Sequence, residues 1–263
     1  VLFIALHHVI GDGWSIGVFA RDLGEGYAAE CAGREAAWAA LPIRYGDYAA
    51  WQRSRWGKEQ VRTGLEWWCR ELAGLPELEL PTDFRRPTVA GPIEGGRLTF
   101  TWPAALAASV RALAEAEGAT PAMVVAASLH ALLARYTGET DVALGMPSAN
   151  RSPREVENLI GFFVNLLVVR TRVDGTGGFR QLVRDVRARM LAAHEFGEIP
   201  FQQIVDELKP VRRANRHPLF QVALAFQNAP GGELTLPGLT VARLDDDQSA
   251  RFDLEVFLSD HHG

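Results

Sequence analysis

The chain opens on six apolar residues, Val1 to Leu6, that run unbroken into His7-His8. A continuous apolar run of this length closed by a turn signal has the pattern of a strand buried on both faces. Gly11-Asp12-Gly13 supplies the turn. Ile16, Phe19, Ala20, Leu23 and Tyr27 then fall at helical spacing and predict an amphipathic helix from about Ser15 to Ala29. Asp47 can cap a second helix that continues through Trp51 and Leu65-Glu66-Trp67-Trp68 to Leu72. From Ala73 to Gly96 the periodicity dissolves into Leu75-Pro76, Leu80-Pro81, Gly91-Pro92 and Gly95-Gly96, a breaker-rich composition that reads as a linker.

The pattern is more regular beyond it. Leu98–Trp102 alternates as a strand. Pro103 opens a helix with Leu106, Val110 and Leu113 on one face, ended by Gly118. Thr120-Pro121 caps a longer helix that Gly138 stops, and Asp141–Met146 reads as a short strand leading into the loop Pro147-Ser148-Ala149-Asn150-Arg151. Leu159–Arg170 is apolar and β-rich, interrupted by Asn165. Phe179, Leu182, Val183, Val186 and Met190 mark a further helix, and Pro200 opens a short one. Phe220, Val222, Leu224 and Phe226 share one face of a strand with Gln221 and Gln227 on the other. Leu234–Leu244 reads as strand, turn and strand around Pro237-Gly238, and Phe252–Leu258 alternates again. Strands and helices interleave, so the class is α/β or α+β.

Composition narrows the functional classes. With 263 residues, 48% of them hydrophobic and 22% charged, the chain has the balance of a soluble globular protein. Its net charge of −5 argues against nucleic-acid binding. The two cysteines, Cys31 and Cys69, are far apart and form no CxxC pair, which disfavours metal and redox motifs. No apolar run approaches the ~20 residues of a membrane span, and no signal peptide is evident, so a cytoplasmic location without membrane contact is expected. GxGxxG and GxxxxGK[ST] are both missing, so no nucleotide-phosphate cradle is supported. A chain that begins with Val inside a strand pattern reads as a fragment of a longer protein.

Three readings of His7, His8 and Asp12 compete. Neighbours on a strand point to opposite faces, so the two histidines cannot easily share an ion, and a metal site is disfavoured. A packed, hydrogen-bonded pair and a single functional histidine remain. On a strand one would face the core and the other a cleft. Asp12 lies across a turn from His8, so it is expected to bury against an arginine and fix the turn rather than extend a hydrogen-bond chain from the imidazole. The residues alone name no substrate, and neither GxSxG nor a paired catalytic carboxylate is present. Asn165, His130, His194 and His217 read as structural in the first instance, with Asn165 also a candidate for lining a cleft. Arg212, Arg213 and Arg216 read as a solvated basic cluster.

Five segments carry a resemblance. His7-His8-Val9-Ile10-Gly11-Asp12-Gly13-Trp14-Ser15 resembles the HHxxxDGxS motif of the condensation domains of nonribosomal peptide synthetases. Tyr45-Gly46-Asp47-Tyr48-Ala49-Ala50-Trp51, Ile160-Gly161-Phe162-Phe163-Val164-Asn165, His194 through Pro200-Phe201-Gln202-Gln203-Ile204-Val205, and His217-Pro218-Leu219-Phe220-Gln221-Val222 resemble four further motifs of that family, in the family's order. The resemblance implies a chloramphenicol acetyltransferase-like α/β fold: a V-shaped pair of lobes, each an α+β two-layer sandwich, with the active site in a tunnel between them. Two family motifs that precede the histidines are missing, so the N-terminal lobe would be incomplete. By this likeness residues 1–92 are the remainder of the N-terminal lobe with the inter-lobe linker, and residues 93–263 belong to the C-terminal lobe.

The same resemblance implies the reaction. An acceptor aminoacyl amine attacks a donor acyl or peptidyl thioester, both held on phosphopantetheine arms of peptidyl carrier proteins, with an adenylation domain adjacent in the parent chain. No cofactor or metal is bound directly. His8 would face the substrates and His7 would pack. Asp12 would pair with Arg151, and Gly13 would allow close backbone approach. Trp14, Ser15 and Asn165 are the candidates for lining the tunnel. The alternatives within this likeness are an epimerization domain and a catalytically silent module that docks carriers. The fragment by itself is expected to be inactive.

Overall fold

Val142, Leu144 and Met146 stand on one strand among Val222 and Leu224 of another, and the larger part of the chain is built around that contact. The computed structural model describes residues 4–55, 57–84, 95–211, 213, 216–227, 234–242 and 251–259. Seven helices are described: α1 (Gly13–Cys31), α2 (Tyr45–Arg55), α3 (Glu59–Leu72), α4 (Ala104–Ala116), α5 (Pro121–Thr137), α6 (Gly178–Glu195) and α7 (Phe201–Leu208). The described strands are β1 (Asp141–Ser148), β2 (Asn165–Arg172), β3 (Val222–Gln227) and β4 (Leu254–Ser259). They form one sheet in the order β2-β1-β3-β4. β3 lies parallel to both β1 and β4, with Gly145 opposite Ala223 and Val222 opposite Leu254. This is the mixed α/β class expected from the interleaved periodicities.

Parallel strands are buried on both faces, which explains why β1 and β3 are runs of apolar residues rather than alternating ones. Val142, Leu144 and Val222 are wholly buried. Gly145 has no side chain because the ring of Phe220 occupies that space. α5 is capped by Thr120 and ends on Gly138 in the left-handed conformation. It buries Met123 through Ala127, Leu129 and Leu133 against the sheet, and α6 adds Leu182, Val183, Val186 and Met190. His130 is fully buried here, with Nδ1 2.8 Å from the Ala126 carbonyl and Nε2 3.2 Å from that of Val169. Trp68 is wholly buried and donates to the Phe196 carbonyl at 3.0 Å. No single described helix is long and apolar enough to cross a membrane.

Packing divides the chain into two units, Val1–Val61 with Ala149–Asn165 and Asn228–Asp246, and Arg62–Ser148 with Leu166–Gln227 and Asp247–Gly263. Arg151 ties its loop to Asp12, so the stretch after β1 packs with the unit that carries the histidines.

Several local expectations change. The opening stretch is not a buried strand. Ile4 and Leu6 are exposed, and His8–Ile10 form a short 3₁₀ turn (Val1–Phe3 lie outside the described residues). An apolar run needs a neighbouring ladder to become a buried strand, and no described strand pairs with it. Leu98–Trp102 likewise joins no ladder: Leu98 and Phe100 are exposed, while Trp102 packs on the core. The helix expected from Asp47 to Leu72 breaks at Gly57, whose φ of 81° no ordinary side chain favours, and Asp47 sits inside the first turn of α2. Gln221, expected on an outward face, is buried. It accepts from the Leu78 N–H at 3.0 Å and donates to the His217 carbonyl at 3.1 Å. Residues 234–242 hold the turn at Pro237-Gly238 without strands, and Arg243 and Leu244 lie outside the described residues. Arg213 and Arg216 pair with Glu77 rather than standing free in solvent, and Arg212 is outside the described residues.

His217 sits among the rings of Phe201, Phe220 and Phe252, at centroid distances of 5.2, 4.0 and 5.1 Å. Burial lowers its pKa from 6.5 to about 4. As pH falls, the unfolded chain protonates first, so the stability this group contributes is full above pH 6.5 and is lost progressively towards pH 4. The loss amounts to at most about 3 kcal/mol. Denaturant titrations at pH 7 and pH 4 are expected to show it, and His217→Phe to remove that component. An unchanged pH dependence in the variant would contradict the assignment.

Candidate functional site

The site is assembled at the N-terminus of α1, entirely within the first unit. Asp12 is the N-cap: its Oδ1 accepts from the Ser15 N–H at 2.9 Å, so the motif's turn and the start of the helix are one structure. Asp12 is 5% exposed. Oδ1 also lies 2.8 Å from Ser15 Oγ and 3.0 Å from Arg151 Nη2, and Oδ2 accepts from the Phe163 N–H at 3.0 Å. His8 instead turns its Nδ1 to the Gly11 carbonyl.

Arg151 reaches this carboxylate from the loop after β1. Asn150 precedes it in the left-handed region, φ 50°, which asparagine tolerates better than most residues. Nη1 donates to the carbonyls of Val156 and Leu159 at 2.7 and 2.8 Å, and Nη2 to Ser15 Oγ at 2.9 Å. The guanidinium also lies 4.0 Å from the Phe163 ring centroid. Burial alone would raise the Asp12 pKa. The Phe163 and Ser15 N–H groups, the Ser15 hydroxyl and the Arg151 charge outweigh it and hold the carboxyl below its ordinary value. Burial pushes the Arg151 guanidinium down, against the opposing pull of Asp12.

The two histidines differ in their ring chemistry. His7 Nδ1 accepts from the Val9 N–H at 3.1 Å, so a neutral His7 carries its proton on Nε2. His8 Nδ1 lies 2.9 Å from the Gly11 carbonyl, which can only accept, so a neutral His8 carries its proton on Nδ1 and leaves the lone pair on Nε2. Both rings are exposed, which replaces the expected division into a core-facing and a cleft-facing histidine. Backbone hydrogen bonds of the 3₁₀ turn make the distinction instead of strand alternation. Among the described residues, the 5.2 Å contact of its ring with Phe162, at 88°, is the other constraint on His8.

The remaining candidates separate. Ser15 is buried: its Oγ accepts from the Gly161 N–H at 3.1 Å and lies 2.8 Å from the Gly161 carbonyl, so it ties the motif to the 161–163 segment and lines no open space. Trp14 is half-buried and donates to the Glu157 carbonyl at 2.8 Å. Nothing in the described chain lies within 4 Å of where a Gly13 Cβ would stand. Asn165 does not interrupt a strand; it begins β2. The ladder starts there because the backbone of Gly161 and Phe163 is spent on Ser15 and Asp12.

Sequence reasoning assigned no role to Tyr45, Gly161 or Phe162. The Tyr45 hydroxyl donates to the Phe162 carbonyl at 2.8 Å, and its ring fills the space that a side chain on residue 161 would need. Burial, and then the Asp12 charge, raise its pKa. Tyr48, Val156, Leu159 and Phe163 form the apolar cluster beneath. The signal was present in the two aromatic motifs, but nothing in their spacing said that they meet. Among the described residues no group of three or more His, Cys, Asp or Glu could hold a metal ion.

The family model described as Condensation domain matches residues 1–263. An isonitrile lipopeptide synthase of Mycobacterium tuberculosis is 43% identical over 99% of this chain, which covers 11% of that protein. A dimodular nonribosomal peptide synthase of Bacillus subtilis is 40% identical over 99% of the chain, again 11% of its own length. Among solved structures, the X-domain from teicoplanin biosynthesis aligns with a TM-score of 0.83 at 26% identity, over 98% of this chain and 59% of that one. The first condensation domain of the CDA synthetase aligns with a TM-score of 0.70 at 21% identity, over 89% of this chain and 50% of that one. The chain therefore spans a small part of the curated relatives it matches and little more than half of these solved domains.

Proposed function

The chain belongs to the condensation-domain family, and from that premise we propose that in its parent protein it joins a carrier-bound acyl or peptidyl thioester to the amine of a carrier-bound aminoacyl thioester. The reading is an amide-forming acyl transfer in nonribosomal peptide synthesis. The donor and acceptor ride on phosphopantetheine arms of carrier proteins, with an adenylation domain nearby and residues 1–92 and 93–263 contributing to two lobes. The observation that carries it is the 2.9 Å contact of His8 Nδ1 with the Gly11 carbonyl. A neutral His8 then keeps its proton on Nδ1 and has Nε2 available to take another, whereas the Nδ1 lone pair of His7 is used on the Val9 N–H.

The step balances simply. The acceptor nitrogen attacks the donor carbonyl carbon, the carbon–nitrogen bond forms, and the proton shed by nitrogen passes to His8 Nε2. The carbon–sulfur bond breaks, and the departing sulfur takes up a proton to become the free carrier thiol. Asp12, Ser15 and Arg151 hold the turn and touch no reacting atom in this scheme. An intact parent domain that formed no amide from loaded carriers would overturn the reading, and His8→Ala within a few-fold of the parent rate would overturn the proton-accepting role given to His8.

A second reading rests on the likeness to the X-domain of teicoplanin biosynthesis, which has also been solved in complex with OxyB. A module of that shape would dock a partner enzyme without condensing substrates. The intact His7-His8 pair favours condensation, and the same His8→Ala assay separates the two, since a docking module would show no parent activity to lose.

A further inference from the structure

The His8 ring is exposed, and a hydrogen bond from Nδ1 to the Gly11 carbonyl at 2.9 Å holds one edge of it. The Phe162 ring, perpendicular to the imidazole at 5.2 Å, supplies a second contact that restricts its side-chain torsions. Phe162 has little freedom to move away. Its carbonyl is held by the Tyr45 hydroxyl at 2.8 Å. On one side, Gly161 is bonded through its N–H to Ser15 and is closed in by the Tyr45 ring. On the other, Phe163 is bonded through its N–H to Asp12 and buried against Tyr45, Tyr48 and Arg151. Phe162 itself is 40% exposed, so it turns away from the cluster that buries its neighbour.

We infer that Phe162 is a positioning residue for His8, and that Tyr45 and Gly161 hold it in place, so that the aromatic segment sets the direction in which Nε2 points. The inference rests on the condensation reading above and adds to it a residue that acts through the imidazole without touching substrate. It also explains why residue 161 is a glycine whose backbone conformation is otherwise ordinary: a side chain there would push Tyr45 off the Phe162 carbonyl.

The test is steady-state condensation by the intact synthetase with carriers loaded. Phe162→Leu, which keeps apolar volume without an aromatic ring, is expected to lower kcat about 10-fold with KM for the loaded carriers unchanged. Phe162→Tyr, which keeps the ring, is expected to restore the rate. In a His8→Ala background, Phe162→Leu is expected to add no further loss, because its effect passes through the imidazole. Full activity of Phe162→Leu, a shift in KM alone, or losses that add in the double variant would each overturn the inference while leaving the role of His8 intact. If the parent formed no amide from loaded carriers, the condensation reading would fall and this inference with it; if His8→Ala left the rate unchanged, the inference alone would fall together with the role of His8.

Discussion

Replacing Arg151 by methionine is expected to cost about 3–5 kcal/mol of stability. The side chain and its Asp12 partner are 1% and 4% exposed, so the variant strands a carboxylate where water cannot reach it. Two backbone carbonyls, those of Val156 and Leu159, lose their donor in the same step. Methionine conserves the packing on the Phe163 ring while removing the charge and the donors, so the loss reports the polar network rather than a cavity. Denaturant unfolding of the intact domain is the measurement. Asp12→Leu together with Arg151→Met is expected to recover part of the loss, because a buried pair costs more broken than absent. An Arg151→Met domain within 1 kcal/mol of the parent would contradict this account.

The same network has a pH signature. Asp12 titrates below its ordinary 3.8 in the folded chain, so the unfolded chain binds that proton first as pH falls. Its contribution is therefore complete above pH 3.8 and is lost as pH drops through the folded value, below the window in which His217 acts.

Arg151 also marks the boundary of what the sequence could say. That Asp12 would bury against an arginine followed from an acid placed in a turn too far from His8 to serve it, and the family likeness pointed to Arg151. That Ser15 would share the same buried centre did not follow. A serine at the third position of a helix is ordinarily a surface residue, and only the approach of Gly161 encloses it. The helices that pack on the sheet were legible because apolar spacing of 3.6 residues survives burial, and α5 and α6 run where Thr120-Pro121 and Phe179–Met190 placed them.

The strands were less legible, for a single reason. Val1–Leu6, Leu98–Trp102 and Ile160–Val164 all have strand-like composition, yet strand formation depends on a neighbouring backbone that no local pattern encodes. The first two find no ladder partner among the described residues, and the third spends its amides on side chains of the histidine motif. The consequence for the site is direct. The strand argument set His7 and His8 apart by the face each would occupy, whereas the structure sets them apart by which ring nitrogen the backbone consumes.

That difference sets the expected contrast between the two histidines. His8→Ala in the intact domain should lower amide formation by about 10²–10⁴-fold, the range for a positioned proton acceptor. His7→Ala should stay within a few-fold, because a neutral His7 uses its Nδ1 lone pair on the Val9 N–H and offers solvent only a donor. Base catalysis has a bounded task here. An α-amine has an ordinary pKa of ~7.7–8.0, so a useful fraction is already neutral near pH 7, and a thioester is a reactive acyl donor. On the condensation reading proposed above, the proton becomes acute only once the carbon–nitrogen bond has formed and the nitrogen is positively charged, so a late role for His8 is expected, with a loss far below that of a nucleophile's removal. His8→Gln sharpens the point: an amide can still donate to the Gly11 carbonyl but offers no basic nitrogen, so it should be as slow as His8→Ala. If His8→Gln retained most of the parent rate, orientation of the amine rather than proton transfer would be the work done at this position.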